Sequence, residues 1–205
     1  MEQNKNNFKI VSDKKARMIL PNAITLIGVC IGLTSIKFAI DGKFAIAIIA
    51  ILFAGLMDAL DGRIARLIKG TSRMGKELDS LGAVISFGVT PALIMYFWNL
   101  QFLEKLGWFV CLIYVVCVAL RLARFNISSE EEPSWEDNFF QGVPSPAGGI
   151  IVLLPLIFSF SGLEKFLFDI NYDLLVPIFF IIVSILLIST IPTYSFKKIV
   201  IPRTM

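Results

Sequence analysis

Three aspartates in one short stretch of the chain have the residue type and spacing to do chemistry. Asp58 and Asp61 are three residues apart, so in a helix they lie on one face. Across a short polar loop, Gly75 opens the next helix and Asp79 follows one turn later. Carboxylates at the end of a membrane segment are costly unless they are paired or metal-bound, and they mark a functional site by default. We expect these three to face one another and to bind one or two divalent cations.

The residues beside the aspartates suit a phosphate-containing ligand. Gly62, Ala65 and Gly75 have little or no side chain, so a nucleotide could approach the backbone there. Arg66 offers a planar guanidinium that binds phosphate in a fork. Metal ions held nearby would neutralise a pyrophosphate and polarise the attacked phosphorus, while a lipid tail stays in the bilayer. The simpler alternative is a surface ion pair between Asp58 or Asp61 and Arg66.

The composition limits which metal such a site would hold. The 205-residue chain has no histidine, so a common general base and a common transition-metal ligand are both excluded. Its cysteines, Cys30, Cys111 and Cys117, are scattered in apolar runs and form no C-x-x-C pair, which predicts buried apolar side chains. Any metal must therefore be held by carboxylates, which favour the hard cations Mg²⁺ and Mn²⁺, with Ca²⁺ as a further candidate.

The elements that carry these residues are predicted to be membrane helices. Apolar residues make up 56% of the chain and charged residues only 17%, against roughly 25% in a typical globular chain. The apolar residues form long blocks, as lipid-facing helices do. We therefore predict one all-α integral membrane domain over residues 1–205, with six transmembrane helices. Their predicted ranges are Leu20–Ile40, Phe44–Ile68, Leu78–Trp98, Leu106–Phe125, Pro146–Phe160 and Leu174–Thr193.

Basic residues are distributed unequally between the two sides of the predicted membrane. Fifteen of the 19 Lys and Arg residues fall on one side, and the other side receives Lys37, Lys43, Lys105 and Lys165. Because basic residues concentrate in the cytoplasm, this places both termini there, including the basic segment 1–19. We expect a multi-pass protein of the cytoplasmic membrane, with its active site at the cytoplasmic ends of helices 2 and 3. The same face should attract anionic lipid.

The stretch from Asp58 to Asp79 resembles the signature of the CDP-alcohol phosphotransferase family. It has the pattern D-x-x-D-G-x-x-A-R, then eight residues, then G-x-x-x-D, without a gap. The resemblance implies a homodimer with a six-helix membrane core, in which Asp58, Asp61 and Asp79 bind two metal ions and an alcohol displaces CMP from CDP-diacylglycerol. The implied CDP-lipid-binding residues are Asn22, Thr25, Gly62, Ala65, Arg66 and Gly75.

Ala83 departs from this family pattern. The family has a fourth aspartate at this position, one turn after Asp79, which is credited with helping to bind the second metal and with deprotonating the alcohol. Alanine can do neither. Because the rest of the signature is intact, we interpret Ala83 as an introduced inactivating substitution, with a natural pseudoenzyme as the alternative.

Three further stretches resemble the branch of the family that uses L-serine as the acceptor alcohol. They are LPNAIT at residues 20–25, LRLARFN at residues 120–126 and GVPSPA at residues 142–147. Arg121 and Arg124 are candidates to bind the serine carboxylate, with membrane anchoring as their alternative role. Candidates to donate or accept hydrogen bonds are Ser86, Asn126 and Ser145.

Other functions stay open at this point. Within the family, the rival acceptor is glycerol 3-phosphate, as in the phosphatidylglycerophosphate synthases. A transporter would place its ion site near the membrane midplane on broken helices, often with inverted repeats, and the chain shows neither feature. A catalytically dead protein that binds CDP-lipid is the reading that Ala83 supports. No feature predicts a nucleic-acid partner.

Overall fold

The computed structural model describes residues 13–68, 72–128, 139–161, 172–189 and 192–194, and most of these are helical. Residues 1–12 of the predicted basic segment therefore lie outside the described part. The helical elements are α1 (Asp13–Ile40), α2 (Phe44–Leu67), α3 (Arg73–Ala83), a π-helical turn (Val84–Val89), α4 (Thr90–Trp98), a 3₁₀ turn (Leu100–Leu103), α5 (Glu104–Ser128), α6 (Ser145–Val152), α7 (Leu154–Ser161) and α8 (Tyr172–Ile188).

Four helical stretches of the described chain are long and apolar enough to cross a membrane. They are Ile19–Ile40, Phe44–Leu67, Arg73–Trp98 and Leu100–Ile127, and they agree with the first four predicted segments. The third begins at Arg73 rather than at the predicted Leu78, because Ser72 caps it by accepting a hydrogen bond from the Gly75 N–H. The count of six spans stays a prediction.

The later predicted segments are shorter in the structure. The fifth, Pro146–Phe160, is divided into α6 and α7 with a turn at Leu153. Pro155 explains the break, because proline has no N–H to continue the hydrogen bonds of the preceding helix. The sixth corresponds to α8, an apolar helix that begins at Tyr172 and ends at Ile188.

One pair of short strands is an addition to the all-α prediction. β1 (Phe139–Gln141) pairs antiparallel with β2 (Pro192–Tyr194), so the chain before α6 meets the chain after α8. Gly142 follows β1 with a φ of +72°, a conformation that favours glycine, and a Cβ there would lie 2.8 Å from the Ser189 carbonyl oxygen. Strands of three residues are too short to show a period in the sequence.

The helices form two groups of contacts. α1 and α2 are a helical hairpin whose turn contains Gly42 at a φ of +73°, and α1 also contacts α3 and α4. α5 packs against α8 and the π-helical turn, where the rings of Tyr114 and Phe180 meet edge to face at 5.4 Å. Tyr114 and Phe87 are fully buried in this core. Side chains such as Ile49 and Phe109 stay exposed on the outside, as lipid-facing residues do.

Candidate active site

A pocket lies where the end of α2 and the start of α3 meet α1. It is lined by Pro21, Asn22 and Thr25 of α1, by Asp61, Gly62, Ala65 and Arg66 of α2, and by Ser72, Gly75, Lys76 and Asp79 at the start of α3. The six residues predicted to bind the CDP-lipid thus come together in one pocket, with two of the three predicted metal ligands. Three further lining residues, Pro21, Ser72 and Lys76, were not predicted. A serine directly before a helix is a capping signal that could have indicated Ser72.

Asp61 is the most closely held of the aspartates. Its side chain is buried, and its carboxylate accepts a hydrogen bond from the Thr25 hydroxyl at 2.5 Å. The same hydroxyl lies 3.1 Å from the Pro21 carbonyl in its own helix. A hydroxyl has one proton to donate, and the shorter contact goes to the charged acceptor. Thr25 therefore orients Asp61 from the neighbouring helix.

Asp58 lies beside this pocket and does not line it. The negative charges of Asp79 and Asp61 both act on Asp58, so the three carboxylates are close enough to repel one another. Neither the Asp58 nor the Asp79 side chain has a hydrogen bond or an ion pair within the described residues, and the alternative of an ion pair with Arg66 is not found there. The ion pair that the described chain does contain, Lys37 with Asp41, is in the turn at the other end of α2.

Two glycines of the motif have different structural roles. A Cβ on Gly75 would lie 3.0 Å from the Asn22 side-chain oxygen and 3.1 Å from the Ser72 hydroxyl, so α3 can approach α1 this closely only without a side chain there. A Cβ on Gly62 would meet no protein atom within 4 Å, although Gly62 lines the pocket. The absent side chain of Gly62 therefore enlarges the space for a ligand.

Basic groups stand at the mouth of this pocket. Arg66 and Lys76 line it, and Arg63 of α2 and Arg73 in the first turn of α3 are exposed. A pocket lined by both basic side chains and carboxylates suits a ligand with phosphate groups. The basic side chains would bind the phosphates directly, and the carboxylates would bind them through a divalent cation.

Ala83 is the last residue of α3, four residues after Asp79 in the same helix. Residues at this spacing are neighbours on one helix face, so the predicted relation between the two positions is confirmed. Ala83 is buried, 6% exposed, and does not line the pocket. The π-helical turn begins at the next residue.

Arg121 and Ser145, two of the predicted acceptor residues, contact each other. Arg121 of α5 donates a hydrogen bond to the Ser145 hydroxyl at 2.9 Å, at the start of α6. Ser145 is fully buried, and the buried Nε of Arg121 has no hydrogen-bond partner. No acidic side chain of the described chain neutralises Arg121. The pair thus offers an unused donor beside a helix start, which suits a carboxylate.

The other predicted acceptor residues make contacts within the protein. Arg124 donates to the Ile188 carbonyl at 2.8 Å, at the C-terminal end of α8, where a positive charge is favourable. Asn126 exchanges hydrogen bonds with Ser80, directly after Asp79, at 3.0 and 3.1 Å. Ser86 is buried against α1. None of the five lines the pocket.

The donor groups of the site suit the divalent metal that the resemblance implies. Its donors are carboxylate oxygens that repel one another and form no ion pair with a basic side chain in the described part of the chain. Hard cations bind to oxygen donors of this kind. The described residues contain no group of three or more acidic, cysteine or histidine side chains arranged to hold a metal ion. The residues therefore fit a divalent cation in charge and donor type, without a preformed shell of three protein ligands.

Comparisons with known proteins agree with the motif. Residues 18–191 match the CDP-alcohol phosphatidyltransferase family, and the chain belongs to that family. It is 46% identical over 149 residues to the CDP-diacylglycerol–serine O-phosphatidyltransferase of Mycobacterium tuberculosis, which covers 70% of this chain and 51% of that protein. The chain thus spans about half the length of its mycobacterial relatives.

Two other relatives are covered more fully. The protein of the same name from Helicobacter pylori (strain 26695) is 35% identical over 182 residues, which is 88% of this chain and 74% of that protein. The archaetidylserine synthase of Methanothermobacter thermautotrophicus is 34% identical over 189 residues, covering 89% of this chain and 73% of its own length.

Proposed function

We propose that this protein is a transferase that moves the phosphatidyl group of CDP-diacylglycerol to L-serine. The observation that carries the proposal is the pocket between α1, α2 and α3, which gathers all six predicted CDP-lipid residues with Asp61 and Asp79. Serine as the acceptor is supported by the relatives named CDP-diacylglycerol–serine O-phosphatidyltransferase. In the reaction, the serine hydroxyl oxygen bonds to the phosphatidyl phosphorus, and the phosphoanhydride bond to CMP breaks. CMP leaves with the bridging oxygen, and the hydroxyl proton passes to a base.

The chain's own residues would bind and orient the donor. Arg66 and Lys76 pair with its phosphates, and the open space at Gly62 admits the nucleotide next to the backbone. The diacylglycerol tails stay in the bilayer beside the exposed apolar faces of α1 and α2. Asp58, Asp61 and Asp79 would hold one or two divalent cations, Mg²⁺ or Mn²⁺ with Ca²⁺ as an alternative, which supply charge neutralisation at the phosphates.

Arg121 and Ser145 are the best supported of the acceptor residues. The buried, unpartnered Nε of Arg121 leaves a donor for the serine carboxylate, and Ser145 holds the guanidinium in place. The roles of Ser86, Arg124 and Asn126 in binding serine stay predictions. The resemblance to the family implies that the protein acts as a homodimer. The distribution of basic residues predicts that it lies in the cytoplasmic membrane with both termini inside the cell.

A second candidate function follows from Ala83. A methyl group cannot take the proton of the acceptor hydroxyl, so the chain would bind CDP-diacylglycerol and release CMP slowly or not at all. This holds whether Ala83 is an introduced substitution or marks a natural protein that binds the lipid without turnover.

The deciding experiment measures CMP release by the Ala83→Asp protein with serine, glycerol 3-phosphate and inositol supplied in turn. Release with serine alone supports the proposal. Preference for glycerol 3-phosphate reassigns the acceptor within the family, and no release with any alcohol favours the lipid-binding function.

A further inference from the structure

The third membrane helix is interrupted by a π-helical turn directly after Ala83. Val84–Val89 form the turn, and at its end both the N–H and the hydroxyl of Thr90 donate to the Ile85 carbonyl, five residues back. Turns of this type are uncommon and are frequent at functional sites. This one separates α3, which carries Asp79, from α4, whose residues Ile94 and Met95 are fully buried in the core.

Pro91 explains why the turn needs a partner from outside its own helix. In a regular helix the N–H of residue 91 would bond the Phe87 carbonyl, but proline has no N–H. The hydroxyl of Tyr114 in α5 supplies the missing donor, at 2.8 Å from the Phe87 carbonyl oxygen. Tyr114 and Phe87 are both fully buried, so water cannot replace this bond.

Two glycines bring neighbouring helices against the same turn. A Cβ on Gly149 of α6 would lie 3.0 Å from the Phe87 carbonyl oxygen, and a Cβ on Gly88 would lie 3.2 Å from Val118 of α5. The carbonyl that Tyr114 binds is therefore enclosed by α5 and α6. The backbone at Phe87 therefore has close neighbours from two helices, and the Tyr114 hydroxyl is hydrogen-bonded to its carbonyl.

The turn also determines how the active-site half of the helix is rotated. Each residue of an α-helix is rotated by about 100° from the one before it, so a change of one residue in the turn rotates α3 against α4 by about that angle. Asp79 and Asp61 both line the pocket, and Asp79 lies five residues before the start of the π-helical turn. The direction of Asp79 toward α2 therefore depends on the register at residues 84–89.

We propose that Tyr114 is a positioning residue, whose hydrogen bond to the Phe87 carbonyl sets the rotation of α3 and so directs Asp79 toward Asp58 and Asp61. The inference rests on the proposed function for its consequence in binding, but its structural part is independent of that function. The hydrogen bond described for Tyr114 goes to the turn and not to a residue that lines the pocket, so its effect on Asp79 would pass through the turn.

The experiment compares Tyr114→Phe with Tyr96→Phe, a tyrosine whose ring packs on Trp108 and whose hydroxyl has no hydrogen bond in the described part of the chain. Spin labels are attached at Arg63→Cys of α2 and Met74→Cys of α3, both exposed, with Cys30 replaced by serine. Distances are measured in EDTA without substrate. We expect Tyr114→Phe to shift or broaden the distance distribution and Tyr96→Phe to leave it unchanged.

A second variant and a binding measurement complete the test. The added methyl group in Gly149→Ala would crowd the same Phe87 carbonyl, so this variant should shift the distance between the two spin labels as well. It serves as the test if Tyr114→Phe does not fold. CDP-diacylglycerol binding in nanodiscs should weaken about two- to tenfold in Tyr114→Phe. This range corresponds to the usual net contribution of one hydrogen bond. Unchanged label distances in the folded variants, with only a lower melting temperature, would overturn the inference. If the parent chain does not bind CDP-diacylglycerol, the proposed function fails while the distance result still stands.

Discussion

The hydroxyl of Thr25 lies 2.5 Å from the carboxylate of Asp61, across the contact between α1 and α2. In the sequence these residues are 36 positions apart, and each was assigned to a different ligand, Thr25 to the CDP-lipid and Asp61 to a metal. The contact makes them one unit, because the direction of the Asp61 carboxylate depends on a donor in another helix. A substitution of Thr25 should therefore change ligand binding by changing the orientation of the Asp61 carboxylate.

Thr25→Val removes this donor and keeps the shape of the side chain. A hydrogen bond to a charged group is worth about 1.5–3 kcal/mol, so we expect metal-dependent binding of CDP-diacylglycerol to weaken about tenfold or more. Binding is measured in nanodiscs at several Mg²⁺ concentrations. The matched control is Thr34→Val, whose hydroxyl bonds the Cys30 carbonyl of its own helix at 2.6 Å. Equal binding by the two variants would show that Thr25 does not orient Asp61.

A metal requirement is the second expectation. Three mutually repelling carboxylates without a described cation partner should need a divalent ion before an anionic pyrophosphate can bind. Binding of CDP-diacylglycerol should therefore fall in excess EDTA, and likewise in Asp58→Asn and in Asp79→Asn.

The control for these variants is Asp41→Asn. The pKa of Asp41 lies below its usual value because Lys37 donates a hydrogen bond to it and adds a positive charge, so this aspartate already has its cation. Asp41→Asn should bind as the parent does. If EDTA, Asp58→Asn and Asp79→Asn all leave the binding of CDP-diacylglycerol unchanged, the predicted metal site is wrong.

The spacing of the motif was enough to predict that most of its residues come together. Asp58 and Asp61 share a helix face, and Asp79 and Ala83 share another, because three- and four-residue spacings have a fixed meaning in a helix. The pocket accordingly contains the predicted small residues and Arg66. Local patterns of this kind need no knowledge of distant partners.

What could not be predicted depends on partners far along the chain. Arg124 donates a hydrogen bond to the Ile188 carbonyl, 64 residues away, and no local pattern indicates this contact. The π-helical turn was missed because counting in steps of 3.6 assumes an uninterrupted helix. Pro91 was the available signal, since it removes the N–H that Phe87 would need. Pro155 likewise divides the fifth predicted segment.

Gly107, in the first turn of α5, is predicted to be essential for the close approach of α5 to the 3₁₀ turn before it. A Cβ at this position would clash with the Leu100 carbonyl oxygen, and Glu104 in the same turn already has a φ of +48°. Gly107→Ala should lower the free energy of unfolding by at least about 1–3 kcal/mol, as overpacking does. Thermal unfolding in detergent measures this. Gly55→Ala, whose Cβ would meet only the Phe87 ring at 3.5 Å, is the control, and equal melting temperatures would contradict the expectation.

The orientation in the membrane is tested with single cysteines in a background without reactive thiols. Lys43 lies exposed in the turn between α1 and α2, and Met74 lies exposed in the first turn of α3. The distribution of basic residues predicts Lys43→Cys outside and Met74→Cys in the cytoplasm. A membrane-impermeant maleimide added to intact cells should label the first and spare the second. Labelling of both positions from one side would contradict the predicted topology.

Ala83 provides the sharpest test of the mechanism. It is buried in the same helix as Asp79 and one turn beyond it, so an aspartate there would stand beside a predicted metal ligand. General-base catalysis contributes typically about 10²–10⁴-fold, and we therefore expect Ala83→Asp to raise serine-dependent CMP release by at least about a hundredfold. Ala83→Asn has the same shape without a carboxylate and should stay as slow as the parent chain. Glycerol 3-phosphate should not replace serine, because the LRLARFN and GVPSPA stretches resemble the serine branch. If Ala83→Asp and Ala83→Asn are equally slow while both bind CDP-diacylglycerol, the missing aspartate is not what limits turnover, and the chain is better explained as a lipid-binding protein.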